Sequence, residues 1–181
     1  MKKYFTYIIW FFSGACGLVS CSDLRSVDEM TLYEGPILEL TNIESYYSDS
    51  AVVRLKLVAP KQLEFENNDS EFSEGLYLEF YDKDGVISST LEANYAYKYD
   101  KEDKWRALRN VVVKNLENNE QLHTEELFWE PKKELVYTNK FVRIETEDQI
   151  LMGEGMEASQ DFSWWRILDA RGTISLDDED Q

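Results

Sequence analysis

The residues of this 181-residue chain that could do chemistry are few and badly grouped for it. His123 is the sole histidine, with Glu125 two positions on. A metal site wants three or four ligands, and a nucleophilic triad wants a base beside a nucleophile. With one histidine and two cysteines, Cys16 and Cys21, there is no material for a His/Cys metal cluster, a Ser-His-Asp triad or a disulfide framework. Glu125-Glu126, Glu64 with Glu66, and Asp82 with Asp84 have the residue types of the paired carboxylates that hydrolyse glycosides. In a chain with 36 acidic residues such pairs arise by chance. No phosphate-cradling glycine-rich loop is present. The sequence therefore assigns no catalytic residue, metal or cofactor, and His123 reads as an exposed polar position. The conspicuous aromatic pair is Trp164-Trp165 beside Arg166. Strand alternation sends one of the two inward and leaves the other at a surface or edge. The pair is thus either a plug closing the end of the folded unit or an edge that docks a partner.

The charge sets further bounds. Lys and Arg number 19 against 36 Asp and Glu, a net charge of −17 and a pI near 4.4. Nucleic-acid binding draws on a clustered basic face, so that class is excluded. The five Trp, eleven Tyr and nine Phe mark a folded chain rather than an acidic disordered one.

Residues 1–20 read as an address. Met1-Lys2-Lys3 is a short cationic segment, followed by an apolar stretch from Tyr4 to Val19. Sixteen residues fall short of the roughly 20 that span a bilayer. The stretch ends Leu18-Val19-Ser20-Cys21, the pattern of a bacterial lipoprotein signal, in which the cysteine is diacylated and becomes the new N-terminus. An uncleaved anchor is the alternative. Cleavage removes Lys2 and Lys3 from the 19 basic residues and none of the 36 acidic ones, which moves the net charge from −17 to −19. Acyl chains at about 0.8 kcal/mol per buried CH₂ make a stable anchor when two are present. Residues 21–34 then form the lipidated terminus and linker, 35–176 the folded domain, and 177–181 an acidic, solvated tail.

The folded domain is read as a row of β-hairpins. Val53, Leu55, Leu57 and Ala59 alternate with Arg54, Lys56 and Val58, and Leu76, Leu78 and Phe80 with Tyr77 and Glu79. Leu91, Ala93, Tyr95, Tyr97 and Tyr99 alternate with Glu92, Asn94, Ala96 and Lys98. Period two means half-buried strands, and no window carries a helical stripe. Polar turns fall at residues 48–50, 82–85, 100–104, 116–121, 130–133 and 146–149. Connections this short leave no room for parallel crossovers, so the sheet is antiparallel. Mixed parity between Leu122 and Trp129 predicts a bulge.

A loose repeat runs through the hairpins. Leu91-Glu92-Ala93-Asn94-Tyr95 precedes Leu122-His123-Thr124-Glu125-Glu126 by 31 residues, and Val111-Val112-Val113 precedes Val142-Arg143-Ile144 by the same interval. Repeated hairpins with one apolar face, stacked side by side, line a continuous trough.

The ordered motifs Glu34-Gly35-Pro36, Tyr47-Ser48-Asp49-Ser50-Ala51, Leu57-Val58-Ala59-Pro60, Phe80-Tyr81-Asp82-Lys83-Asp84-Gly85 and Leu91-Glu92-Ala93-Asn94-Tyr95-Ala96 lead on to Asn110-Val111-Val112-Val113-Lys114-Asn115 and Leu122-His123-Thr124-Glu125-Glu126-Leu127. With the closing Gly153-Glu154-Gly155-Met156-Glu157-Ala158 and Asp161-Phe162-Ser163-Trp164-Trp165, this order resembles the LptC-type periplasmic subunit of the lipopolysaccharide export transporter, in particular its shorter lipoprotein-type members. The resemblance implies an all-β fold, an elongated U-shaped antiparallel β-jellyroll of stacked hairpins whose interior holds acyl chains. It implies lipid contacts among Val53, Leu55, Leu57, Leu78, Phe80, Leu91, Tyr95, Val111, Val113, Leu127, Val142, Ile144, Met152 and Met156, of which Leu127, beside the bulge, is the least secure. It implies a partner edge near Trp164 and Trp165, reached by strand addition. The implied partners are lipopolysaccharide, the exporter's membrane subunits, which draw on ATP, and an LptA-like periplasmic bridge protein. The implied place is the periplasmic face of the inner membrane, held there by the lipid anchor. Better-known members carry a transmembrane helix where this chain has Leu18-Val19-Ser20-Cys21. Two rivals stand beside this reading: a carbohydrate-binding lipoprotein and a structural envelope lipoprotein, each with a packed β-sandwich. An open apolar interior would separate the relay from both.

Overall fold

The computed structural model describes residues 33–176. Cys21, the signal segment and the acidic tail lie outside the described residues.

Eleven strands form one antiparallel sheet: β1 (Leu38–Asp49), β2 (Val52–Glu64), β3 (Ser70–Phe72), β4 (Leu76–Tyr81), β5 (Ile87–Ala93), β6 (Tyr95–Tyr99), β7 (Lys104–Asn115), β8 (Glu120–Glu130), β9 (Leu135–Glu145), β10 (Gln149–Ser159) and β11 (Trp165–Ser175). Six turns fall at or beside the polar segments that predict them, whereas the connections at 65–69, 73–75 and 160–164 fall outside those segments. A 3₁₀ turn at Pro131–Lys133 joins β8 to β9. Among the described residues β1 and β11 are the two free edges.

A crease runs across the sheet. The register slips between Leu108 and Val111 in β7, between Thr124 and Phe128 in β8, between Met156 and Glu154 in β10 and between Gly153 and Met152 beside β11. Arg109 and Asn110 hold positive φ in β7, as does Asn42 in β1, and Gly155 takes φ +72° in β10. Each slip adds residues to one strand against its neighbour and bends the ladder there. The predicted bulge in β8 is one member of this line. Beside it Glu126, only 6% exposed, is engaged by Arg106 at 2.6 Å, with Lys140 at 3.9 Å.

Bent along the crease, the sheet closes on itself. One half holds β4, β5 and the segments of the long strands paired beside them, with its turns at residues 50–51, 82–86, 116–119 and 146–148, the first lip. The other holds β3, β6 and the remaining segments, with its turns at 65–69, 100–103, 131–134 and 160–164. These two rows of turns are the lips of the fold. The halves share one core: Phe80 of the first meets Trp129 of the second edge to face at 5.3 Å.

The crease also reassigns faces. At Asn94, whose N–H donates to the Arg109 carbonyl at 3.0 Å, the chain leaves β5 and turns into β6. Alternation restarts, so Ala96 is buried and Tyr95 turns outward beneath the Arg109 guanidinium, 4.7 Å from the ring centroid. Tyr95 does not share the face of Leu91 and Ala93 as the unbroken alternation predicts. Met152 likewise lies outward, opposite Arg143 and Gly172, because the Ile144–Leu151 register gives the inward place to Leu151. The bulge at Gly155 then returns Met156 to the interior, where it is fully buried.

Candidate functional site

The interior is built from rungs. In the first half, Leu57 pairs with Leu78, Leu78 with Leu91, Leu91 with Val113, Val113 with Leu122, Leu122 with Ile144 and Ile144 with Leu151. Directly paired residues share a face, so these seven side chains form one apolar ladder across the sheet. Val111, Thr124 and Val142 make a parallel rung nearer the crease. In the second half, Trp105 pairs with Trp129, Trp129 with Val136, Val136 with Ala158 and Ala158 with Trp165. Phe72, Trp105 and Trp129 stack in sequence, with centroids 5.7 and 5.9 Å apart.

Of the residues expected to line the interior, Leu57, Leu78, Phe80, Leu91, Val111, Val113, Leu127, Val142, Ile144 and Met156 are buried in one core. Leu127, beside the bulge, is among its most buried side chains. Val53 and Leu55 are half-buried at the β1 side. Tyr95 and Met152 stand outside this set. Sequence reading missed Leu122 and Leu151 in the ladder, and Phe72, Trp105 and Trp129 opposite it. Leu122 and Leu151 had a usable signal, the pairing of each with an assigned residue one hairpin away.

The two half-sheets pack closely against each other. The space bordered by Val113, Asn115, Glu120, Leu122, Ile144, Met156, Phe162 and Trp165 measures about 10 Å³, room for about one water. Among the described residues one buried side-chain polar atom is an orphan: the Ser89 hydroxyl, fully buried without a hydrogen-bond partner. Leaving such a group unpaired costs about 1–3 kcal/mol.

The Trp pair divides as alternation predicts. Trp165 packs against the core and donates Nε1–H to Glu120 Oε2 at 3.0 Å, while Trp164 is exposed. His123 sits on the outer face opposite Val112 and Arg143. Burial pushes its imidazole below the ordinary value, and the positive charges of Arg143 and Lys114 push the same way. Glu145 is 3.8 Å from His123 Nε2, but Arg143 engages the same carboxylate, and Gln121 Nε2 lies 2.7 Å from that ring nitrogen. A Gln121 N–H donated to a neutral ring satisfies this arrangement. Among the described residues no three His, Cys, Asp or Glu side chains are grouped to hold a metal ion, and no helix is long and apolar enough to cross a membrane.

The chain is thus an antiparallel β-jellyroll with an apolar ladder inside and, among the described residues, two edge strands whose outer backbone groups are unpaired within the sheet. Residues 45–173 match the family model described as lipopolysaccharide-assembly, LptC-related. The match covers well over half of the chain, and the protein belongs to this family of lipopolysaccharide-transport subunits. The family is one of non-catalytic transport components associated with the inner membrane on its periplasmic side. No curated protein matches the chain.

Proposed function

We propose that the protein relays lipopolysaccharide through its interior, with acyl chains lying along the Leu57–Leu151 ladder between the two half-sheets. The observation that carries this reading is the uncovered apolar surface on the inward face of β1, beside the ladder's end at Leu57: Tyr47 extends the Leu55–Phe80 pair, Leu38 and Leu40 lie opposite Glu64 and Gln62, and all three stand in solvent. A filled core needs no such uncovered apolar end. Acyl chains replace the contacts that the half-sheets now make with each other, so parting the lips exchanges one apolar surface for another. Cys21 holds the chain to the periplasmic face of the inner membrane by its acyl groups. The exporter's membrane subunits hand lipid in, and an LptA-like bridge protein takes it on by adding a strand to a free edge, with Trp164 beside β11 as the marker of that edge. Energy comes from ATP hydrolysed by the partners.

The test is a photo-crosslinking residue at Leu78, Val113 or Ile144 compared with one at Glu79, Val112 or Arg143. The inward positions should capture lipopolysaccharide only when the transporter hydrolyses ATP, and the outward ones should not. Equal capture from both sets, or none while transport continues, would leave a structural lipoprotein with a filled core. That is the rival which the closed interior favours.

A further inference from the structure

The mouth between the lips is bridged near β11 by a loop whose central residue is strained. Residues 160–164 connect β10 to β11 at the second lip, and Phe162 reaches from there to the first. Its carbonyl accepts from Asn115 Nδ2 at 3.1 Å, and its side chain, 5% exposed, borders the small cavity beside Val113 and Met156. The adjacent Trp165–Glu120 hydrogen bond crosses the same gap. Elsewhere along the mouth, polar contacts run along one lip, as in Lys132 with Asp103, Tyr97 with Asp69 and the Leu116 N–H with the Ser88 carbonyl.

Phe162 holds φ +56°, a region that bulky L side chains avoid. Such a conformation persists only where its surroundings enforce it. Here the Phe162 N–H donates to the Ser159 carbonyl at 3.0 Å, and the Gln160 N–H to the Glu134 carbonyl at 3.0 Å. Asp161 Oδ1 accepts from the Ser163 N–H at 3.1 Å and the Ser163 hydroxyl at 2.8 Å. The loop is thus a built strap, and what it inserts at the end of the ladder is an apolar ring of roughly the girth of a hydrocarbon chain.

We propose that residues 160–164 gate the interior at the β11 end: Phe162 occupies an acyl-chain position, and the strap swings out when a chain takes its place beside Met156. The inference rests on the relay reading and adds its regulation. Opening breaks the Asn115–Phe162 and Trp165–Glu120 bonds and releases the Phe162 backbone, while the incoming chain restores the apolar contacts that the ring gives up.

The test places a photo-crosslinking residue at Ile167, half-buried beside the strap, or at Leu55 near the other end, in the full chain with an active transporter. Trp165→Phe keeps the aromatic ring and removes the bond to Glu120. Lipopolysaccharide capture at Ile167 should rise about fivefold, the population shift that loss of one hydrogen bond gives, with capture at Leu55 unchanged. Phe162→Trp, a larger plug, should lower capture at Ile167. A urea unfolding curve with unchanged cooperativity verifies that each variant is folded. Unchanged capture at Ile167 in both variants while Leu55 still captures lipid would overturn the strap and leave the relay standing. No capture at either position during active transport would overturn the relay reading, and the strap with it.

Discussion

At the β1 end of the ladder, Leu38, Leu40 and Tyr47 face the interior side and stand in solvent, Tyr47 at 64% exposure. At the β11 end, Trp165 and Ile167 face the same side and pack against the core, with Phe162 drawn in over them. The two ends have similar alternation and similar residue types, so alternation alone does not explain their different fates. Burial requires a second surface. At β11 that surface is the opposite half-sheet together with the loop at residues 160–164, whereas on edge strand β1 Ile43 packs against the core but Leu38, Leu40 and Tyr47 to either side of it lack such cover.

A charge in the closed middle of the ladder and one at the open β1 end should part most. Val113→Asp places an unpaired carboxylate in the closed interior and should cost about 4 kcal/mol or more, enough to unfold a protein of ordinary stability. Tyr47→Asp, on the same face at the open end, should shift stability by no more than about 0.5 kcal/mol. Urea unfolding measures both, and equal losses would mean that the β1 end is covered in solution.

Truncation should separate the ends by less. Phe162→Ala is expected to cost about 3 kcal/mol through the space it leaves, against less than about 0.5 kcal/mol for Tyr47→Ala. A loss at Phe162 as small as that at Tyr47 would show that the strap is not seated. Smaller still is the effect of a single hydrogen bond. Trp165→Phe should cost about 1 kcal/mol, whereas Tyr46→Phe, which removes an exposed hydroxyl that donates to Glu44, should cost almost nothing.

The smallest effect is one of pH. Burial pushes the Asp161 carboxyl up, but hydrogen bonds from Ser159 and Ser163 outweigh it and hold the group below its ordinary value. A carboxyl depressed on folding contributes stability above its unfolded pKa, near 3.9, and that contribution fades as the pH falls through the folded value. Asp161→Asn should therefore lower stability at pH 6 and show a shallower loss between about pH 4 and 2. Hydrogen exchange at the strap amides should report the same change while the β1 amides do not. Parallel acid curves for the two proteins would remove Asp161 from the strap's support.

Most of the fold was legible because its determinants are local. Polar turn residues such as Asp82-Lys83-Asp84-Gly85 fix where strands reverse, and the alternation through Leu76, Leu78 and Phe80 fixes which side chains share a face. The site was legible in part. Val113 and Ile144 were found from parity, but Leu122 and Leu151 were missed between assigned neighbours, and Tyr95 and Met152 were assigned to the wrong side. The causes differ. Tyr95 was placed by period-two counting, which holds only while a strand is unbroken, and the crossing of the crease at Asn94 restarts the count. Met152 was implied by the family resemblance, and the register that sets Leu151 opposite Ile144 turns it outward.

What the sequence by itself determined was an acidic, aromatic-rich, antiparallel β domain of family-specific motif order behind a segment ending in Cys21. These follow from charge, residue type and near-neighbour spacing, which need no folded structure to act. Only the tertiary structure decided that the sheet folds along a line of bulges, that its apolar faces close on each other, and that Phe162 is covered while Tyr47 is not. Those outcomes depend on which distant surface meets each face. Phe80 and Trp129 lie far apart in the chain and meet only after the sheet has bent, so no local pattern in the sequence encodes their contact.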